Sequence, residues 1–100
     1  MTPPRALVTG VSVGIGRAIA GRLAADGYEV HGTYLTHERE ANELAAELPA
    51  LVLHRVDLAA PDGVQKLLDE LPEGRLDALV NNVLPALHDQ DGPGWLPATP

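Results

Sequence analysis

Arg5-Ala6-Leu7-Val8-Thr9-Gly10-Val11-Ser12-Val13-Gly14-Ile15-Gly16 is the stretch whose reading decides the fold. Arg5 to Thr9 reads as a short buried strand. From Ile15 onward the apolar residues Ile15, Ile19 and Leu23 recur one turn apart, as on an amphipathic helix. Three glycines fill the junction. Glycine lets the chain turn sharply and lets backbone N–H groups come close to a diphosphate, while the helix N-terminus adds partial positive charge. The spacing is G-x-x-x-G-x-G and differs from the G-x-G-x-x-G of the commonest dinucleotide fingerprint. A glycine-rich turn alone needs no ligand; its place after a strand and before a helix points to nucleotide binding.

Working outward, Gly27 stops the first helix and Glu29 to Tyr34 form a second strand. A second helix runs from about Glu38 to Leu48, with Ala41, Leu44, Ala45 and Leu48 on one face and Pro49 closing it. Leu51 to Val56 is the third strand. Pro61 suits the first turn of a third helix, whose buried face is expected at Val64, Leu67, Leu68 and Leu71. Pro72-Glu73-Gly74 ends it, and Leu76 to Val80 is the fourth strand. Strands alternating with helices at this spacing argue an α/β fold with a parallel sheet and right-handed crossovers. From Leu84 the periodicity stops, and Pro85, Gly92, Pro93, Gly94, Pro97 and Pro100 stand among polar residues as an irregular tail.

One hundred residues allow a single domain with a modest core. A formal charge of −7 disfavours a nucleic-acid partner, which needs a basic face. No apolar run approaches the roughly 20 residues that span a bilayer, and no signal-peptide core follows Met1. Without cysteine there is neither a disulfide framework nor a thiolate nucleophile or metal site. His31, His37, His54 and His88 lack metal-ligand spacing. The expectation is a soluble cytoplasmic protein with no membrane contact.

Together with Asp57 and Asn81-Asn82, the glycine segment resembles the short-chain dehydrogenase/reductase family. The family's pattern is T-G-x-x-x-G-I-G after the first strand, an Asp after the third, and N-N-A-G after the fourth. Here stand Thr9-Gly10-x-x-x-Gly14-Ile15-Gly16, Val56-Asp57-Leu58 and Asn81-Asn82-Val83-Leu84, over about residues 5 to 82. The resemblance implies a partial Rossmann-type doubly wound parallel sheet of about four strands and three helices. It also implies an NAD(P)-binding half-domain over residues 1–83, with the Pro/Gly-rich tail over 84–100.

On that resemblance Gly10, Gly14 and Gly16 form the phosphate turn, with Ser12 and Ile15 presenting backbone or hydroxyl donors. Arg17 follows the turn directly and is a further candidate near the phosphate. Asp57 accepts from the adenine amino group, beside the backbone N–H of Leu58, and Asn81 and Asn82 line the nicotinamide ribose. An acid at the end of the second strand would accept from the ribose 2′-OH of NAD. His31-Gly32-Thr33-Tyr34-Leu35-Thr36-His37 has none, so a 2′-phosphate meets no repulsion, and Tyr34, Thr36 and His37 can contact it. Val13 stands where NADP-preferring relatives often carry a basic residue. The expected cofactor is NADP, with NAD as the alternative. Val83 and Leu84 occupy the places of Ala and Gly, by substitution or by deletion of that pair, which bears on nicotinamide placement.

Relatives reduce carbonyls with a Y-x-x-x-K pair, in which the ammonium favours phenolate. Tyr28 and Tyr34 are followed at that spacing by Gly32 and Glu38, and the sole lysine is Lys66. The leading reading is the cofactor-binding portion of an alcohol/carbonyl oxidoreductase, truncated or split and inactive alone. In the doubly wound order the fourth strand is internal, so its outer edge is expected to self-associate or to pair with a complementing polypeptide. The alternative is a non-catalytic dinucleotide-binding or scaffold module. A phosphate-binding NTPase half fits poorly, because the loop lacks a G-K-[ST] ending.

Overall fold

The structure, a computed structural model, describes residues 2–82. The expectations for Val83, Leu84, His88 and the tail lie outside the described residues. The elements are β1 (Arg5–Val8), α1 (Gly14–Ala25), β2 (Glu29–Tyr34), α2 (Glu38–Glu47), β3 (Leu51–Arg55), α3 (Gly63–Glu70) and β4 (Ala78–Val80). All pairings are parallel and the strand order is β3-β2-β1-β4, the doubly wound arrangement. Leu7 pairs with His31 on one side and with Leu79 on the other.

The sheet buries two unlike faces. Under α1 and α2, Val8, Val11, Val30 and Leu51 meet Ala20 and Leu44, with Ile19 and Leu23 packed around them. Gly32 belongs to this face, where an added Cβ would lie 2.8 Å from both Val11 methyl groups. A strand glycine here marks the close approach of a neighbouring side chain. Among the described residues the apolar cluster under α3 is Leu7, Val56 and Leu67, with Leu58 and Leu71 against it.

α1 closes as its glycine predicts: Gly27 has φ 94°, and Tyr28 N donates to Leu23 O at 3.0 Å. Ile15 departs from the expected stripe and is 70% exposed, because the helix turns Gly16 and Ala20 to the sheet instead. α3 begins at Gly63, not at Pro61. Ala60 N donates to Asp57 O and Gly63 N to Ala60 O, so residues 57–63 first form turns. This short helix touches the sheet through Leu67 and Leu71, leaving Val64 and Leu68 each 56% exposed. β4 begins at Ala78, two residues later than the pattern predicts, after Asp77 N has bonded to Arg5 O at 2.8 Å.

Candidate functional site

Strand order reverses at β1, since β2 and β3 lie to one side and β4 to the other. Ligands of open α/β sheets bind beyond the strand C-termini at such a point. A cleft of about 830 Å³ opens there, and Gly10, Ser12, Tyr34, Asp57, Leu58, Asn81 and Asn82 are among its lining residues. Pockets for small ligands span about 300–1,000 Å³. Thr33, Leu35, Val56, Ala59 and Val64 complete walls that the sequence pattern did not single out.

The turn between β1 and α1 is held from three sides. From β2, Thr33 O accepts from Gly10 N at 3.1 Å and Val11 N at 3.0 Å. From the end of β4, Asn82 Nδ2 donates to Gly10 O at 3.2 Å, and Asn82 N donates to Thr9 Oγ1 at 2.8 Å. From α1 itself, Arg17 Nη1 donates to Ser12 O at 3.1 Å and to Glu40 O at 2.8 Å. The guanidinium thus joins the turn to α2. Thr9 Oγ1 also donates to Asn81 Oδ1 at 3.1 Å, so both asparagines serve the turn.

Gly10 and Gly14 have φ of 71° and 66°, in the left-handed region that glycine occupies without strain. Gly16 has a different reason. A Cβ there would run into the Gly10 carbonyl and sit 2.7 Å from Asn82 Nδ2, so only glycine lets α1 start this close to β1. Gly14, Ile15 and Gly16 are not among the lining residues; they form the first turn of α1. That turn carries no acid, and no side chain caps it. The first N–H groups of a helix have no intrahelical partner, and the macrodipole favours an anion beside them. By contrast α2 carries Glu38 and Glu40 in its first turn.

The Ser12 hydroxyl, expected as a donor to phosphate, donates to Thr36 O at 3.3 Å. Tyr34 OH donates to Glu38 Oε1 at 3.4 Å. Burial, followed by the nearby Glu38 carboxylate, raises the phenol above its ordinary range, so Tyr34 stays neutral. Asp57 is exposed, and its Oδ1 accepts from Ala59 N at 3.0 Å. His37 takes φ 58° and ψ 46° at the start of α2, with Thr36 Oγ1 3.0 Å from its Nδ1. A second depression, about 540 Å³, lies at the other end of the sheet around Arg5, Glu73, Arg75 and Asp77. Its cations are already paired, Arg5 with Glu29 and Arg75 with Asp77.

Among the described residues no cluster of His, Asp or Glu has metal-binding geometry, and no helix is long and apolar enough to cross a membrane. A strand-end asparagine can bridge neighbouring loops; which loop Asn82 reaches, and that its partner is the Gly10 carbonyl, follows only from the pairing of β4 with β1.

Comparison with known proteins follows the same lines. The short chain dehydrogenase family matches residues 4–87. A Streptomyces violaceoruber protein, named for ketoacyl reduction in the granaticin polyketide synthase, is 43% identical over 81 residues, covering 79% of this chain and 32% of its own. The 3-oxoacyl-[acyl-carrier-protein] reductase FabG of Staphylococcus aureus is 39% identical over 83 residues, covering 77% and 34%. Among solved structures, BdcA in complex with NADPH superposes with TM-score 0.75 at 32% identity, over 90% of this chain and 36% of that one. The chain spans about a third of the length of the curated relatives it matches.

Proposed function

The chain belongs to the short-chain dehydrogenase family, and from that premise we propose that it is the dinucleotide-binding portion of an NADP-dependent oxidoreductase interconverting an alcohol and a carbonyl. One observation carries the reading: the glycine-built, acid-free start of α1 opens beside the cleft at the reversal of strand order. Gly10, Ser12, Gly14, Ile15 and Gly16 surround the diphosphate, mainly through the N–H groups of the first turn of α1, while Gly10, its own N–H held by Thr33, shapes the turn. Asp57 and Leu58 meet the adenine, and Asn81 and Asn82 border the nicotinamide ribose while bracing the turn. When bound, the nicotinamide supplies or accepts hydride; these residues orient its nucleotide end.

NADP is preferred over NAD in this reading. The end of β2 brings Tyr34, Thr36 and His37 to the cleft with no acid among the lining residues there, and the neighbouring Glu38 carboxylate is engaged by the Tyr34 hydroxyl. BdcA's complex with NADPH supports the same choice. Hydride transfer needs a tyrosine–lysine pair that Tyr28, Tyr34 and Lys66 do not form by spacing, so this portion is inactive by itself. The reading keeps the protein cytoplasmic. It also assigns the outer edge of β4, where Leu79 is 62% exposed, to a second polypeptide that completes the sheet, or to another copy.

Titration of the folded chain with NADPH and NADH, followed by nicotinamide fluorescence, tests this. Saturable binding, tighter for NADPH, is expected. A chain that is folded by circular dichroism and binds neither would overturn it, and would favour a scaffold role through β4. That second reading has its own support in the position of β4 at the edge of the sheet that the described residues form.

A further inference from the structure

Beneath α3, away from the cleft, lies a row of ionisable side chains that nucleotide binding does not use. Arg5 Nε donates to Glu29 Oε2 at 2.6 Å. The same carboxylate oxygen is 2.9 Å from His31 Nε2. His31 Nδ1 is 2.8 Å from His54 Nε2, and His54 Nδ1 is 2.9 Å from Glu70 Oε1. The two rings lie edge to edge and nearly coplanar, with 23° between their planes and centroids 5.1 Å apart, and they are only 3% and 5% exposed. The row therefore runs from β1 through β2 and β3 to the last residue of α3.

Hydrogens can be counted along it. Three contacts, Glu29–His31, His31–His54 and His54–Glu70, each require one hydrogen between the heavy atoms. Two neutral imidazoles bring one N–H each, and two carboxylates bring none. With neutral rings, one contact must be two lone pairs facing each other inside the protein, the costly case of buried polar atoms left unsatisfied. If each ring instead donates outward to its carboxylate, the mismatch falls between His31 Nδ1 and His54 Nε2. One further proton satisfies all three contacts. A fourth would set two N–H groups against each other.

We propose that the His31–His54 pair holds one structural proton between its facing nitrogens, and that this proton fastens α3 to the sheet in a pH-dependent way. Charge agrees with the count. With the proton, Arg5, Glu29, the ring pair and Glu70 sum to zero; without it they sum to −1. Arg5 of β1, Glu29 of β2 and Glu70 of α3 are the charged groups bonded along the row. Arg55 of β3 and Lys66 and Asp69 of α3 are exposed, and Asp69 is engaged by Gln65 at 2.9 Å. The hydrogen bond from His31, followed by that from Arg5, holds the Glu29 carboxyl below the usual carboxylate range, as an acceptor should be. Both ends reach water, with the Glu29 and Glu70 side chains 35% and 41% exposed, so the proton can exchange. This inference does not depend on nucleotide binding.

The test uses the full chain, labelled with nitrogen-15, at neutral pH. Long-range proton–nitrogen spectra of the imidazoles are expected to show three proton-bearing nitrogens shared by His31 and His54. One proton on each ring would overturn the proposal. Urea unfolding against pH gives a second reading. Histidines of the unfolded chain titrate near about 6.5. Above that pH the folded pair keeps a proton that the unfolded chain has released, so the folding constant should fall by up to about tenfold per pH unit. Below it the unfolded chain takes two protons where the folded pair takes one, so stability falls again and the profile is bell-shaped. Glu70→Gln sharpens the case, because a carboxamide N–H can donate to His54 Nδ1. His54 Nε2–H then donates to His31 Nδ1, and neutral rings satisfy every contact. This variant should keep its native spectrum and lose the alkaline slope. An unchanged slope in Glu70→Gln, a flat profile in the unmodified chain, or no cooperative transition at any pH overturns the proposal. Should Glu70→Gln fail to fold, the nitrogen spectrum of the unmodified chain decides.

Discussion

The two faces of this sheet are held by different forces. Under α1 and α2 the contacts are dry and aliphatic: Val8, Val11, Ala20 and Val30 are each wholly buried. Such a face depends on shape and area, and pH does not touch it. Under α3 the aliphatic cluster among the described residues is smaller, and beside it lies the buried His31–His54 pair between two carboxylates. Buried polar networks are worth having only when every member is satisfied. The chain's two crossover layers will therefore fail under different conditions. The first yields to altered volume and the second to altered protonation.

The largest effect should come from the first layer, where α1 meets β1. Gly16→Ala places a methyl group against the Gly10 carbonyl and Asn82, and should cost about 3 kcal/mol despite alanine's better helix propensity. Gly21→Ala on the same helix meets nothing within 4 Å and should stabilise by about 1 kcal/mol. Urea midpoints of the two variants measure the contrast. Equal effects would break the claim that α1 is locked to the turn at one residue. Next in size, Val30→Ala opens a cavity on the dry face and should cost about 2 kcal/mol. Its cost should be the same at pH 6 and pH 8, unlike that of changes under α3.

Those two layers were not equally legible. Period and punctuation gave all seven elements, because apolar alternation and glycine or proline stops act locally. Gly10, Gly14 and Gly16 were legible for the same reason. The α3 face was misread at Val64 and Leu68, since a helix of eight residues can rest on one narrow line and spacing alone does not choose which. The histidine pair escaped because it is a diagonal contact: His31 sits opposite Val52 in the register, and His54 opposite Thr33. Alternation puts both rings on one face, but only the β2–β3 register brings their nitrogens together. Asn82's bond to Gly10, 72 residues apart, was hidden likewise.

Asn82→Ala should therefore act at the turn more than at the strand end. It removes the donor to Gly10 O and leaves the backbone bond from residue 82 to Thr9 in place. A lost hydrogen bond of this kind costs about 1 kcal/mol. On the proposed function, NADPH affinity should fall with it, because a looser Gly10 no longer fixes the start of α1. Undiminished affinity at reduced stability would separate the brace from the ligand site.

The smallest effect lies at the sheet's other end, and it tests the division by pH from the acid side. Asp77 Oδ2 accepts from Arg5 N at 2.8 Å, and Arg75 pairs with the same carboxyl at 2.8 Å. The backbone bond from Arg5, followed by the charge of Arg75, holds Asp77 below its ordinary value. Glu29 is lowered too, by the bond from His31 and then by that from Arg5. A carboxyl lowered in the folded state adds stability above the unfolded carboxylate range and loses it as pH falls through the folded value. Both groups are open to solvent, so screening keeps each contribution small. Asp77→Asn should leave stability near pH 7 almost unchanged and make the loss below pH 4 slightly shallower, as read by urea unfolding between pH 3 and pH 7. Glu29→Gln should do the same on the acid side and also alter the profile above pH 6.5, because its carboxylate belongs to the histidine row and Asp77's does not. If the two variants gave the same profile above pH 6.5, Glu29 would be acting only as Arg5's partner. The α3 layer would then owe nothing to protonation at its β2 end.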